Sequence, residues 1–161
     1  MRELLCSILK NQRHYYVLIK KNGKLKPAHL VDVPGHSRLR PKLDEFLPQA
    51  TGIVFVVDFV GFLPNCRAAS EYLYDILTKA TVVKKKIHVL ILSNKTDKVT
   101  ANGKEFIRKQ LEKKLSAIST ADIADDFTLG VLGKPFSFPQ CQNKVKVDEA
   151  AGITGNITQV Q

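Results

Sequence analysis

Ile87-His88-Val89-Leu90-Ile91-Leu92-Ser93-Asn94-Lys95-Thr96-Asp97 runs from an apolar segment of strand length straight into a polar loop. A short apolar run closed by polar residues reads as a buried strand, so the loop falls at that strand's carboxyl end. Each loop residue then has a chemical use. The two oxygens of the Asp97 carboxylate can accept two neighbouring donors at once, and guanine presents such a pair, N1–H and the 2-amino group, where adenine does not. Asn94 carries a donor and an acceptor for the other edge of the base and for the loop backbone. The Lys95 stem can lie along the ring plane with its ammonium in water. The plain alternative is a polar turn whose Lys and Asp are only solvated.

A second motif stands upstream. His29-Leu30-Val31 leads into Asp32-Val33-Pro34-Gly35-His36, which has the Asp-x-x-Gly pattern of a nucleotide switch. Asp32 can hold a magnesium ion through water, as a hard oxygen ligand. Gly35 has no β-carbon, so its N–H can approach a terminal phosphate and move when that phosphate leaves. An ordinary Pro-Gly turn is the competing reading. Both motifs follow apolar strands in the order a guanine-nucleotide site requires, which favours that site.

The rest of the chain is consistent with one domain over residues 1–161. Of 161 residues 44% are apolar and 25% charged, an ordinary globular balance. Cys6, Cys66 and Cys141 have neither paired metal-type spacing nor an even-numbered framework, and read as reduced thiols. No apolar run is long enough to span a membrane, and Met1-Arg2-Glu3 does not open a secretory signal, so the chain as written is expected to be soluble. The formal net charge of +10 admits nucleic acid, an anionic membrane surface, an acidic partner or a phosphorylated ligand.

Strand and helix patterns alternate. Tyr15 to Ile19 reads as a strand, Lys21-Asn22-Gly23-Lys24 as a hairpin turn and Ala28 to Val33 as the antiparallel partner. Pro41 to Leu47 is a short helix, and Gly52 to Asp58 a nearly continuous apolar strand of a sheet covered on both faces. Ala69, Leu73, Ile76, Leu77 and Ala80 form a helical stripe within 66–80. Asn102-x-x-Glu105 caps a further helix carrying Ile107, Leu111 and Leu115. Residues 116–143 read as a long connection with one helical turn near Ala121 to Asp125, and Lys144 to Val147 as a late strand. Such alternation predicts an α/β sheet with ligands at the strand carboxyl ends, where both motifs fall.

The phosphate half of a nucleotide site is not legible. None of the nine glycines completes Gly-x-x-x-x-Gly-Lys-Ser/Thr, since Gly133-Lys134 is followed by Pro135, with Thr128 where the first glycine belongs. No threonine precedes Thr51 to close over magnesium from a first switch.

Val31 to His36, Leu39-Arg40, Phe55-Val56-Val57-Asp58 and Asn94-Lys95-Thr96-Asp97 together resemble the β subunits of the signal recognition particle receptor, an Arf/Sar-related GTPase family. The runs Arg38 to Leu43 and Phe62 to Leu73 are most similar to plant members, and the resemblance extends from about Lys24 to Gln161. It implies a small-GTPase-like, P-loop NTPase three-layer sandwich. Here that sandwich is incomplete, lacking the P-loop strand and helix and the closing helix, with 1–13 an atypical amino-terminal segment. It implies GTP and Mg2+ as ligands, read by Asp32, Gly35, Asn94, Lys95 and Asp97, with the N–H of Ala151 in Asp148-Glu149-Ala150-Ala151-Gly152 meeting the guanine O6. It implies a role as adaptor for the receptor α subunit on the cytosolic face of the endoplasmic reticulum membrane. Arg38 and Arg40 beside the switch would be the charged anchors.

Without a phosphate cradle, and with His36 rather than Gln after Gly35, hydrolysis is not expected and nucleotide binding is open to loss. In the family's sheet the first strand lies between those ending at Asp32 and Asp58, so its loss leaves two central edges to be satisfied. Either the Leu4-Leu5-Cys6-Ser7-Ile8-Leu9 run fills the slot, or the two strands pair directly, or the chain is marginally stable; the simple alternative makes Glu3 to Leu9 an amphipathic helix. A module binding RNA or the ribosome surface is the other function class, suggested by Lys84-Lys85-Lys86 and by Lys104, Arg108, Lys109, Lys113 and Lys114. No aromatic residues interleave with those lysines to stack bases.

Overall fold

The computed structural model describes residues 2–6, 13–21, 24–33, 35–36, 38, 40–95, 103–119, 129–131 and 134–150. Its strands are β1 (Arg2–Cys6), β2 (Arg13–Lys21), β3 (Lys24–Asp32), β4 (Ala50–Asp58), β5 (His88–Asn94) and β6 (Val145–Ala150). They form one sheet in the order β2-β3-β1-β4-β5-β6. Only β2 is antiparallel to its neighbour. It pairs with β3 from Arg13↔Asp32 to Lys21↔Lys24, a register that leaves Asn22 and Gly23 as the loop expected for a two-residue hairpin. Those two residues lie outside the described ones, as does the turn expected near Ala121 to Asp125.

The first-strand slot is filled. β1 lies parallel between β3 (Cys6↔Asp32) and β4 (Cys6↔Val54), so both central edges are paired. Of the weighed arrangements this is the first, shifted forward: the strand is Arg2–Cys6, while Ser7 to Leu9 lie outside the described residues. Glu3 to Cys6, the described part of the alternative amphipathic helix, are strand.

The helices are α1 (Lys42–Phe46), α2 (Phe62–Thr78), α3 (Ala80–Lys84) and α4 (Gly103–Ser119), and Phe138–Gln140 form a 3-10 turn. Leu43, Leu73, Ile76, Leu77, Val82, Ile107, Leu111 and Leu115 pack against Ile53, Phe55, Val57, Val89 and Ile91, the alternate positions of β4 and β5. Ile107, Leu111 and Leu115 are fully buried, as their four-residue repeat requires. The opposite positions Val54 and Leu92 cluster with Ala150, Val56 and Leu90. No described helix contributes to that cluster, so two of the three expected layers are seen among the described residues.

One turn departs from the ordinary. The single helical stripe read over 66–80 is broken at Lys79, whose extended backbone (φ −59°, ψ 127°) ends α2 and opens α3. α3 then closes with the Ile87 N–H on the Val82 carbonyl (3.0 Å) and the Lys86 N–H on the Val83 carbonyl (3.0 Å). These two bonds make a Schellman motif, with buried Val82 and Ile87 as its apolar contact. Its left-handed position, normally glycine, is held by Lys86 at φ 50°.

Candidate functional site

Parallel register places the carboxyl ends of β4, β5 and β6 on one level, with Asp58 beside Asn94 and Asn94 beside Ala150. The Phe59 N–H donates to the Asn94 carbonyl at 3.0 Å and closes β4 onto β5. Past Asn94 the chain turns sharply: Lys95 adopts the left-handed region (φ 65°), and its N–H donates to Asn94 Oδ1 at 2.9 Å. An Asn side chain that caps the next amide is the local reason the strand stops here.

Lys95 differs from expectation. Its ammonium, expected in water, sits on Asp58 Oδ2 at 2.5 Å, with both side chains about half exposed (44% and 45%). Asp58 Oδ1 also accepts the Val60 N–H at 3.0 Å. The Lys95 hydrogen bond is the main reason the Asp58 carboxyl titrates below its ordinary value, offset in part by burial. Asp58 was read as the end of an apolar strand and as part of the family resemblance, with no partner assigned to it. Its partner lies 37 positions away, beyond the reach of any local pattern.

Asp148 and Glu149, expected in the last guanine-contact loop, lie instead in β6, and their partners were not read from the sequence. Asp148 is 2% exposed, with Lys146 Nζ at 2.7 Å and Lys104 Nζ at 3.8 Å. Glu149 Oε1 accepts the Lys104 N–H at 2.6 Å, which ties the end of β6 to the first turn of α4. The two segments that bracket the base-reading loops are thereby joined. Part of the basic face of α4 is consumed in the same way: Lys104 faces Asp148, and Arg108 Nε donates to Glu112 at 3.3 Å.

The switch motif occupies the same carboxyl rim. Asp32 is buried (6% exposed) at the end of β3, level with Cys6 of β1, and Gly35 and His36 beyond it are exposed. Arg38 is exposed, and its N–H donates to His36 Nδ1 at 3.3 Å. Arg40 instead folds back on α2. Its guanidinium lies 4.6 Å from the Tyr72 ring centroid, Nη2 donates to the Ala68 carbonyl at 3.3 Å, and Nη1 is 3.6 Å from Asp75 Oδ2. Burial pushes the Tyr72 phenol up to about 12, so it stays neutral beneath the arginine. Of the two expected anchors, then, Arg38 is presented to solvent and Arg40 is engaged within the domain.

Asp97 and Ala151 lie outside the described residues, as do Thr96 and the capping residue Asn102. The flanking geometry fits a guanine base, since Asn94 and Ala150 share a level and Lys95 starts the loop between them. It does not fit a polyphosphate in the usual way. β1 is followed by Ser7-Ile8-Leu9-Lys10-Asn11-Gln12 before β2 begins, a connection with no glycine to let backbone N–H groups wrap a phosphate. Among the described residues no cluster of three metal-ligating side chains occurs, which leaves Asp32 as the candidate magnesium ligand.

Comparison with known proteins agrees with this geometry. A family model described as signal recognition particle receptor beta subunit matches residues 5–148. The signal recognition particle receptor subunit beta of Dictyostelium discoideum is 30% identical over 151 residues, covering 87% of this chain and 51% of the relative. The chain thus spans about half the length of the curated relatives it matches. A solved structure of the mammalian SRP receptor superposes with a TM-score of 0.86 at 27% identity, covering 99% of this chain and 96% of the matched one. The SRb-GTP/SRX complex from Chaetomium thermophilum gives a TM-score of 0.70 at 19% identity over 88% and 71% of the two chains, a likeness of fold. The small-GTPase-like sheet, the two motifs on its carboxyl rim and the match over residues 5–148 converge: the chain belongs to the signal recognition particle receptor beta subunit family.

Proposed function

We propose that residues 1–161 form a single, partial GTPase-like domain that reads guanine through Asn94, Lys95, Asp97 and the N–H of Ala151. It acts as the β-side adaptor for the receptor α subunit at the cytosolic face of the endoplasmic reticulum membrane. The observation that carries this is the common level of Asp58, Asn94 and Ala150, with Lys95 turned into the left-handed region above Asp58. The solved relative captured with GTP and SRX supports both ligand and partner. Asp32 is the residue toward magnesium, and Gly35 the switch amide toward a terminal phosphate. Hydrolysis is no part of the proposal, because residues 7–12 offer no glycine-rich cradle.

The test is base selectivity at high nucleotide concentration, followed by amide chemical shifts. The unmodified chain is expected to bind GTP weakly and in preference to ATP. Asp97→Asn is expected to move the preference toward xanthosine triphosphate, because an amide N–H donates where xanthine carries a carbonyl. Equal affinity for GTP and ATP, or a guanine preference untouched by Asp97→Asn, overturns the assignment.

A further inference from the structure

The rim opposite the base-reading loops, where the parallel strands begin, gathers lysines from separate parts of the sequence. At one side the β2–β3 hairpin brings Lys20, Lys21, Lys24 and Lys26 to its tip by register. At the other, the turn from α3 into β5 presents Lys84 and Lys86, and the lead-in to β6 presents Lys144, all exposed. The second group is built rather than incidental. The Lys144 carbonyl accepts the Val89 N–H at 2.9 Å, the Asn143 amide donates to the Ile87 carbonyl at 3.1 Å, and Lys85 Nζ donates to the Pro48 carbonyl. Of the carboxylates on the helices that end toward this rim, Asp44 is already paired with Lys79 at 2.5 Å and Asp75 with Arg40 at 3.6 Å. Lys86 adds an energetic argument, because a lysine stands at the left-handed position of a Schellman motif where glycine is the easier residue.

We propose that this amino-end rim is a docking surface for anionic lipid headgroups. β3 and β5 are separated by β1 and β4, so the two lysine groups are about 14 Å apart across the sheet, and the hairpin tip runs about 20 Å past the level of His88. Charge is therefore spread over two projections and not gathered into a pocket, which suits a diffuse negative layer. The tip meets the surface first, and the domain leans to bring Lys84, Lys86 and Lys144 against it. Segments 20–26, 84–88 and 143–146 contain no Arg, Phe, Tyr or Trp, so they lack the guanidinium forks and stacking rings with which proteins grip RNA. Lysine point charges close to a bilayer are the usual means of holding one electrostatically. The base-reading rim faces away, so surface and nucleotide do not compete; the inference stands apart from any nucleotide binding.

The test is co-sedimentation of the full chain with phosphatidylcholine vesicles made with and without phosphatidylserine. Binding is expected only to the phosphatidylserine vesicles and is expected to fall steeply with salt. Each neutralised lysine is expected to weaken it about fivefold, so that Lys84→Gln, Lys86→Gln and Lys144→Gln together cost about a hundredfold. The same three changes on the outer face of α4, Lys109→Gln, Lys113→Gln and Lys114→Gln, remove as much charge and are expected to cost much less. Equal losses for the two triple variants would show a response to net charge alone and overturn the assignment. So would no binding by the parent, or binding to single-stranded RNA that is tighter than to the vesicles.

Discussion

Replacing Lys86 by glycine is expected to make the protein more stable while removing a charge. Lys86 sits at φ 50° in the turn that closes α3, and its N–H and that of Ile87 are both bonded to helix carbonyls, so the left-handed conformation is fixed by the motif. A non-glycine residue there costs about 1–2 kcal/mol through the contact of its β-carbon with the following carbonyl oxygen. Glycine removes that contact, but it loses about 0.5–1 kcal/mol more backbone entropy on folding. The difference leaves about 0.5–1 kcal/mol of stabilisation, or about 1–4 °C in Tm for a domain of this size. Lys84→Gly is the matched control. Lys84 is the last residue of α3, in right-handed backbone, so the same substitution gains nothing sterically and is expected to destabilise by up to about 1 kcal/mol. Urea titration of the three proteins with equal m-values measures both effects. If Lys86→Gly lowers stability as Lys84→Gly does, position 86 is not left-handed in solution and the energetic argument for its lysine falls.

Two further outcomes follow from the carboxyl rim and its partner face. Arg38→Ala combined with Arg40→Ala is expected to weaken capture of the α subunit's amino-terminal domain, with Arg38→Ala alone giving most of the loss, since Arg40 is spent on Tyr72 and Ala68. A pull-down in which the double variant equals the parent removes both residues from the contact. Asp58 titrates below its ordinary value of 3.8, so its tie to Lys95 contributes stability above that pH and loses it as pH falls through the lower folded value. The stability difference between the parent and Asp58→Asn is therefore expected to be present near neutrality and to shrink below pH 3.8. A difference that is constant into acid refutes the coupling.

Local pattern carried much of the fold. The apolar run of β4, the four-residue repeat of α4 and the Asn-Gly turn state their elements directly, because burial of one face imposes a period on the sequence. What escaped was long-range. The break at Lys79 is invisible in a helical stripe that continues on both sides, and its ammonium is held by Asp44 far upstream. β6 runs on to Ala150 because it follows β5 to Asn94, a matter of pairing and not of alternation. At the site, Asn94 and Lys95 were legible as the start of a polar loop because they follow the apolar run of β5 directly. The Asp58–Lys95 and Glu149–Lys104 ties were not, since a carboxylate carries no mark of which distant amine or amide it will meet. Arg40 shows the same limit: its neighbours suggested an outward anchor, and the ring of Tyr72 on α2 turned it inward.

The position of β1 has a kinetic meaning. It is at the centre of the sheet, yet both of its partners follow it in sequence, β3 with β2 between and β4 after a further helix. The hairpin can close on itself within microseconds, and β4 can find β5 across its helical crossover, but neither event needs Arg2 to Cys6. The sheet is therefore expected to assemble as two blocks with an open channel between them, which β1 enters last as a lateral zipper. Until it does, each block shows a bare edge competent to recruit a strand from another chain, so the rate of that final insertion sets the interval during which the newly made protein is open to strand exchange.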